Sequence, residues 1–105
     1  MFVQRVNSRD LKRGDIMAKM VYQYDVKTPS PNVDAETMIE NIRANVPEEY
    51  QLQQKVEIKP MFFGIKAAIC QFVCDDDEGL QDKLENFLTE LDGVGEWELS
   101  FISRL

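Results

Sequence analysis

The sequence predicts an α+β domain in which two helices cover one face of a four-stranded antiparallel sheet. Three observations lead to this prediction: apolar and polar residues alternate over residues 19–27, two stretches at residues 35–46 and 80–91 have a helical apolar repeat, and residues 65–74 form an almost continuous apolar run. In chain order these segments and their neighbours give strand, helix, strand, strand, helix, strand.

The first strand is predicted from Lys19 to Lys27, because every second side chain there is apolar and most of the others are polar. A turn-rich segment at residues 28–32 separates it from the first helix. Asp34 is placed to cap that helix and Pro47 to end it. The apolar face of the helix consists of Ala35, Met38, Ile39, Ile42 and Val46.

The second strand is predicted from Leu52 to Pro60, and a short connection at residues 61–64 leads to the third. The third strand, Ile65 to Cys74, is apolar on both faces, which is typical of a central strand. Its core face is predicted to carry Ala68, Cys70, Phe72 and Cys74. Its opposite face is predicted to carry Ile69, Gln71 and Val73.

Four carboxylates at residues 75–78 precede the second helix, which Gly93 is placed to end. We interpret the carboxylates as complementing the dipole at the helix N-terminus, since they lack the spaced ligands and the glycine of a calcium loop. The apolar face of this helix consists of Leu80, Leu84, Phe87, Leu88 and Leu91.

The last strand is predicted from about Val94 to Leu105. Its alternation is predicted to turn one set of side chains toward the core, namely Trp97, Leu99 and Phe101. The complete order of elements is the split βαβ, or ferredoxin-like, arrangement.

Composition limits the classes of function. The chain has 105 residues, of which 44% are hydrophobic and 30% charged, which suits one compact domain. It has no apolar stretch of the roughly 20 residues that a membrane-spanning helix needs and no secretory signal, so we expect a soluble, cytoplasmic protein without membrane contact. The net charge of -7 opposes attraction to phosphate backbones and favours a partner with a basic surface. We therefore expect no direct binding to nucleic acid.

Residues 1–16 differ from the remainder, because they hold four basic side chains against two acidic ones. Such a basic arm could touch RNA, but no helical or strand period runs through it. We expect a flexible N-terminal extension, followed by one domain at residues 17–105.

The residue types needed for catalysis or for a metal site are scarce. The chain contains no histidine and no glycine-rich phosphate-binding motif. Cys70 and Cys74 lie on one strand with Cα atoms about 13 Å apart, beyond the roughly 7 Å that a disulfide allows. We expect reduced core thiols, no metal, no cofactor and no bond-making activity. The open sheet face also lacks the aromatic platform on which RNA-binding domains of this fold stack bases.

Two short segments stand out as candidate contact sites. Three large apolar side chains, Met61, Phe62 and Phe63, occupy a connection that should face solvent, and at least one phenylalanine is a candidate partner anchor. The chain ends on Arg104 and Leu105, which puts a cation beside the terminal carboxylate. From the residues alone, the rings could also fold inward and the arginine could be merely solvated.

In these residues and their order, the chain resembles the exchange domain of translation elongation factor one-beta in its free-standing archaeal form. The similarity begins at Met17 and continues to the end of the chain. It includes residues 19–34, the Phe-Gly-Ile-Lys of residues 63–66, the acidic turn of residues 75–77, the second helix and the terminal Arg-Leu pair.

The resemblance implies a partner. Members of this family bind the elongation factor one-alpha GTPase, which itself holds GDP and magnesium, and promote release of the GDP. A loop aromatic wedges against the GTPase, and a basic residue next to the C-terminus reaches toward its magnesium and phosphate site. By motif these roles fall on Phe63 and Arg104, with Phe62 and Leu105 beside them. Eukaryotic members have lysine at the second position, so Arg104 is a departure, because arginine is larger and planar.

The implied mechanism is allosteric. Exchange factor and nucleotide bind the GTPase with negative coupling, so that each weakens binding of the other by the same factor. We expect the factor to be a monomer when free. The main alternative is a ferredoxin-like regulatory or small-ligand-binding module that acts through oligomerisation, because this architecture hosts many functions.

We predict that residues 1–16 are dispensable, because the family-like sequence begins at Met17. A protein that starts at Met17 should keep the thermal midpoint of the full chain and its ability to accelerate release of labelled GDP from the matching GTPase. A large loss of either property on deletion would contradict the prediction.

Overall fold

The computed structural model describes residues 18–105. The elements are β1 (Lys19–Lys27), α1 (Ala35–Asn45), β2 (Gln51–Leu52), β3 (Glu57–Pro60), β4 (Lys66–Asp75), α2 (Leu80–Glu90) and β5 (Trp97–Arg104). All strand pairs are antiparallel, and the buried faces of both helices pack into one core on the same side of the sheet. The predicted ferredoxin-like α+β fold is confirmed, but the sheet has five strands and not the predicted four. The predicted N-terminal extension, residues 1–16, lies outside the described residues.

The sheet is ordered β2–β4–β1–β5, and β3 pairs with β4 as well. Leu52 of β2 lies opposite Phe72, and Glu57 of β3 lies opposite Ile69. The prediction of one continuous second strand from Leu52 to Pro60 is therefore wrong, since two short strands share that edge of β4. Between them the chain turns its carbonyl groups to Arg43, whose guanidinium donates to the carbonyl oxygens of residues 52, 53 and 54 at 3.3, 3.1 and 3.3 Å.

The core lies between β1, β4 and the two helices. Asp34 caps α1 as predicted, because its carboxylate accepts from the backbone N–H of Glu36 at 3.4 Å. Tyr24 is fully buried, its ring meets that of Phe72 edge-on, and its hydroxyl donates to Glu85 at 3.0 Å. The largest fully buried side chains include Tyr24, Phe72, Met38, Ile42, Leu84 and Leu88.

Both cysteines are buried and reduced, as predicted. Burial raises the pKa of the Cys70 thiol to about 12, because the thiolate would lose its hydration. At neutral pH this thiol stays protonated and behaves as a small apolar side chain.

A bulge in β5 overturns one predicted side-chain direction. Leu99 lies opposite Tyr24, but the register shifts after that pair and Phe101 lies opposite Gln23. The extra residue reverses the alternation, so Phe101 joins the open face and is 52% exposed. The prediction that Phe101 points into the core is therefore wrong.

The open face is crossed by a line of polar contacts near this bulge. The side-chain amide of Gln71 donates to Gln23 at 2.8 Å, and the Gln23 amide donates to the hydroxyl of Ser100 at 3.1 Å.

Neither α1 nor α2 has the length and apolarity needed to cross a membrane, and no other helix occurs in residues 18–105.

Candidate partner-binding site

The connection between β3 and β4 is a tight hairpin turn. The backbone N–H of Ile65 donates to the carbonyl oxygen of Phe62 at 3.0 Å, and that of Met61 donates to the carbonyl oxygen of Ile65 at 2.7 Å. The two central residues both have positive φ, 57° at Phe63 and 80° at Gly64. Positive φ at both central positions is the pattern of a type I′ turn. The register that pairs Pro60 with Lys66 places this turn within a slightly longer connection between the strands.

Phe63 is an unusual residue for the first central position of this turn. Asn or Asp followed by Gly is the common choice, because their side chains tolerate the left-handed region. A bulky side chain there clashes with its own backbone at a cost of roughly 1–2 kcal/mol. Phe63 is the only residue other than glycine with positive φ in residues 18–105. The hairpin therefore holds this ring in place against a local conformational preference.

Burial of the Phe63 ring does not offset the cost of its backbone conformation. The ring is 94% exposed, and the neighbouring Phe62 is 75% exposed. The sequence left open whether these rings fold inward, and the structure turns both outward. Together with Met61, Ile65 and the side chain of Lys27, they border a shallow pocket of about 250 Å³. We call residues 61–65 the hairpin tip.

The hairpin tip is anchored to the rest of the fold at its base. Thr28 is buried, its N–H donates to the carbonyl oxygen of Lys66 at 2.8 Å, and its hydroxyl accepts from the N–H of Lys66 at 3.2 Å. A Cβ atom at Gly64 would lie only 3.1 Å from the Cβ of Pro31, so the turn also packs closely on the segment after β1. An exposed aromatic pair thus sits on a well-supported turn.

The C-terminal residues form a second exposed region, which we call the C-terminal tip (residues 101–105). The N–H of Leu105 donates to the carbonyl oxygen of Lys19 at 2.9 Å, so the chain stays paired with β1 to its last residue. Leu105 is 74% exposed. The guanidinium of Arg104 lies 3.0 Å from the carboxylate of Asp76 and is otherwise largely open to solvent. Phe101 and Ile102 are also partly exposed.

The two tips lie at opposite ends of the sheet. At the hairpin end, Lys27 pairs with Ala67, whereas at the other end Met20 pairs with Arg104. Strands advance about 3.3 Å per residue, so these ends are on the order of 25 Å apart. The structure therefore does not bring Phe63 and Arg104 together, and one molecule that touches both must reach along the sheet.

The first two carboxylates of the acidic run before α2 make ion pairs with other strands. Asp75 pairs with Lys19 at 2.6 Å, and Asp76 pairs with Arg104. The helix itself begins after Gly79, which has no side-chain cap. The first two carboxylates thus join the ends of β1, β4 and β5. Across residues 18–105, no group of three or more acidic or cysteine side chains is arranged to hold a metal ion.

Sequence reasoning missed Phe101 and Asp76 in this region. The consecutive apolar pair Phe101-Ile102 was the local signal, because it breaks the strict alternation of the last strand. Asp76 carried no local signal, since its partner lies far along the chain and meets it only through the register of the sheet.

Residues 21–105 match the family described as the EF-1 guanine nucleotide exchange domain. The chain belongs to this family. The matched range includes both the hairpin tip and the C-terminal tip, and it ends on the last residue of the chain.

Several archaeal relatives of this exchange domain are similar over almost their whole length. Elongation factor 1-beta of Staphylothermus marinus is 32% identical over 90 residues, which cover 85% of this chain and 99% of the relative. That of Pyrobaculum calidifontis is 35% identical over 89 residues, 84% of this chain and 96% of the relative. That of Methanocorpusculum labreanum is 29% identical over 89 residues, 85% of this chain and 99% of the relative. The exchange domain thus acts as a nucleotide exchange factor in translation elongation, as the sequence predicts.

We predict that replacing Phe63 with asparagine stabilises the free exchange domain. Asparagine suits the positive φ of this turn, and the exposed ring contributes little burial, so the free energy of unfolding should rise by about 1 kcal/mol. Phe63→Ala is the matched control, because it removes the ring but keeps a residue unsuited to the turn. Urea unfolding of the three proteins measures the effect.

The order expected for stability is Phe63→Asn above the parent, and Phe63→Ala close to the parent. If Phe63→Asn is instead less stable than the parent by more than about 1 kcal/mol, the ring contributes to packing and the turn is not strained.

Proposed function

We propose that this exchange domain releases GDP from the elongation factor one-alpha GTPase by contacting it with both ends of its sheet. The hairpin tip provides docking energy, and the C-terminal tip perturbs the nucleotide site. The observation that supports this most directly is the exposed ring of Phe63 on a turn that disfavours phenylalanine. Local strain that the fold maintains without any gain in burial is typical of a functional residue.

The hairpin tip has the character of a binding hot spot. Aromatic side chains that can be fully desolvated by a partner contribute most of the energy of many interfaces. Because the backbone of the hairpin is already fixed by Thr28 and Pro31, little loop ordering opposes binding. Phe63 is the principal anchor in this proposal, and Phe62 borders the same pocket as a neighbouring contact.

Arg104 is the proposed cation at the other end. Its guanidinium projects from the end of β5. From there it can approach a phosphate or displace a magnesium ion that the GTPase holds. Five N–H donors on a planar group suit phosphate oxygens, so arginine can serve where eukaryotic members have lysine. Leu105 extends the exposed surface beside it.

This division of labour requires no bond-making chemistry in the exchange domain. GDP and magnesium stay on the GTPase, and the exchange domain acts as a competing ligand whose binding weakens theirs. The acidic net charge of -7 favours encounter with a basic surface of the GTPase. We propose that the domain does this as a monomer in the cytoplasm, where translation takes place.

We predict that Phe63→Ala weakens docking more than it slows the exchange step. The loss of a hot-spot ring should reduce binding by about 2 kcal/mol, so the concentration of exchange domain at half-maximal GDP release should rise roughly thirtyfold. Stopped-flow release of labelled GDP over a concentration series measures it. Asn86→Ala, which alters an exposed side chain in the middle of α2, serves as a control because it belongs to neither tip. An unchanged half-maximal concentration for Phe63→Ala would show that the ring is not part of the docking surface.

We predict that Arg104→Ala has the opposite pattern. The GDP release rate at saturating exchange domain should fall by about tenfold, within the range usual for coupling between two sites, while the half-maximal concentration changes little. Arg104→Lys should keep substantial activity, because a site that needs positive potential accepts a point charge. The rates are measured at several magnesium concentrations. If Arg104→Ala releases GDP as fast as the parent at every magnesium level, the cation has no role in exchange.

A further inference from the structure

Asp76 lies immediately after β4 and is held there by its own backbone. Its N–H donates to the carbonyl oxygen of Ala18 at 2.9 Å, which ties it to the start of β1. The next residue is held in a tight turn, because the N–H of Asp77 donates to the carbonyl oxygen of Asp75 at 2.9 Å. The backbone of Asp76 is therefore held at the end of the sheet, and its carboxylate extends from there to Arg104.

The contact between this carboxylate and Arg104 involves only part of the guanidinium. One Nη1 atom lies 3.0 Å from a carboxylate oxygen, and the side chain of Arg104 remains 63% exposed, against 38% for that of Asp76. Asp76 is thus the less exposed partner, and its backbone is the one held by hydrogen bonds on both sides. A single-point contact can orient the guanidinium and still leave most of its donors directed at solvent.

We propose that Asp76 is a positioning residue that sets the direction of the Arg104 side chain before the GTPase binds. This inference rests on the proposed role of Arg104 in exchange. A free arginine side chain samples many rotamers, and ordering it on binding opposes the interaction. An exposed ion pair of this kind is weak, so the guanidinium can leave Asp76 for a phosphate when the complex forms.

The neighbouring charge could act in the opposite sense, because a carboxylate lowers the positive potential around Arg104. If Asp76 mainly masked the cation, removing the charge would accelerate GDP release. The two effects are therefore separated by the sign of the change.

The test compares Asp76→Asn with Asp77→Asn in stopped-flow GDP release at saturating exchange domain. Both variants remove one negative charge from the same turn, but among residues 18–105 only the Asp76 carboxylate pairs with Arg104. We expect Asp76→Asn to lower the maximal release rate by about two- to fivefold, the range of an exposed ion pair, and Asp77→Asn to change it by less than about 1.5-fold. An equal change in both variants, or a faster release with Asp76→Asn, would overturn the proposal.

Two further measurements tie the effect to Arg104. In an Arg104→Ala background, Asp76→Asn should produce no additional change in rate. In the free protein, the NMR order parameter of the Arg104 side-chain Nε–H group should fall in Asp76→Asn and not in Asp77→Asn. A rate loss that persists without Arg104, or an unchanged order parameter, would contradict positioning.

The outcomes also separate this inference from the proposed function. If Arg104→Ala slows GDP release but Asp76→Asn does not, the cation acts in exchange without help from Asp76. If Arg104→Ala has no effect on the rate, the role of the cation is wrong, and the positioning proposal is overturned with it.

Discussion

The antiparallel pairing of β1 with β4 is the interaction on which the rest of the structure depends. All nine residues of β1 are in register with β4, from Lys19 opposite Asp75 to Lys27 opposite Ala67. This central pair presents alternate side chains to the two helices and so creates the core. It also fixes the distance between the sheet ends, because the hairpin tip continues from the start of β4 and the C-terminal tip pairs with the start of β1. The distance between the two tips, which a partner that contacts both must span, is therefore set by the core.

The two tips are supported in different ways, which matches their proposed roles. The backbone of the hairpin tip is held by hydrogen bonds and its aromatic side chains are exposed, so it suits docking with little loss of conformational entropy. The C-terminal tip carries a long cation whose orientation depends on one exposed ion pair. A weak contact of that kind can be exchanged for a stronger one in the complex, which is required of a group that enters a nucleotide site.

Much of the fold could be predicted from the sequence because its signals are local. Helical spacing identified the buried faces of α1 and α2, and alternation identified β1. The interruption between β2 and β3 and the bulge in β5 were not predicted, since each depends on the pairing register with another strand, which the local residue pattern does not specify. The candidate site divides in the same way. The surplus of aromatic residues at Phe62 and Phe63 was visible locally, whereas the left-handed backbone of Phe63 and the contact of Asp76 with Arg104 required the register of the sheet.

We propose that the hairpin tip determines how tightly the GTPase is held and that the C-terminal tip determines how fast its GDP leaves. The most direct test is a concentration series of GDP release with the double variant Phe63→Ala/Arg104→Ala, compared with both single variants. Because the tips lie on the order of 25 Å apart on one rigid sheet, their effects should be independent. The double variant should then show the half-maximal concentration of Phe63→Ala and the maximal rate of Arg104→Ala, each within about twofold. A double variant that departs from either value by about tenfold would contradict the account, because docking and release would then depend on both ends together.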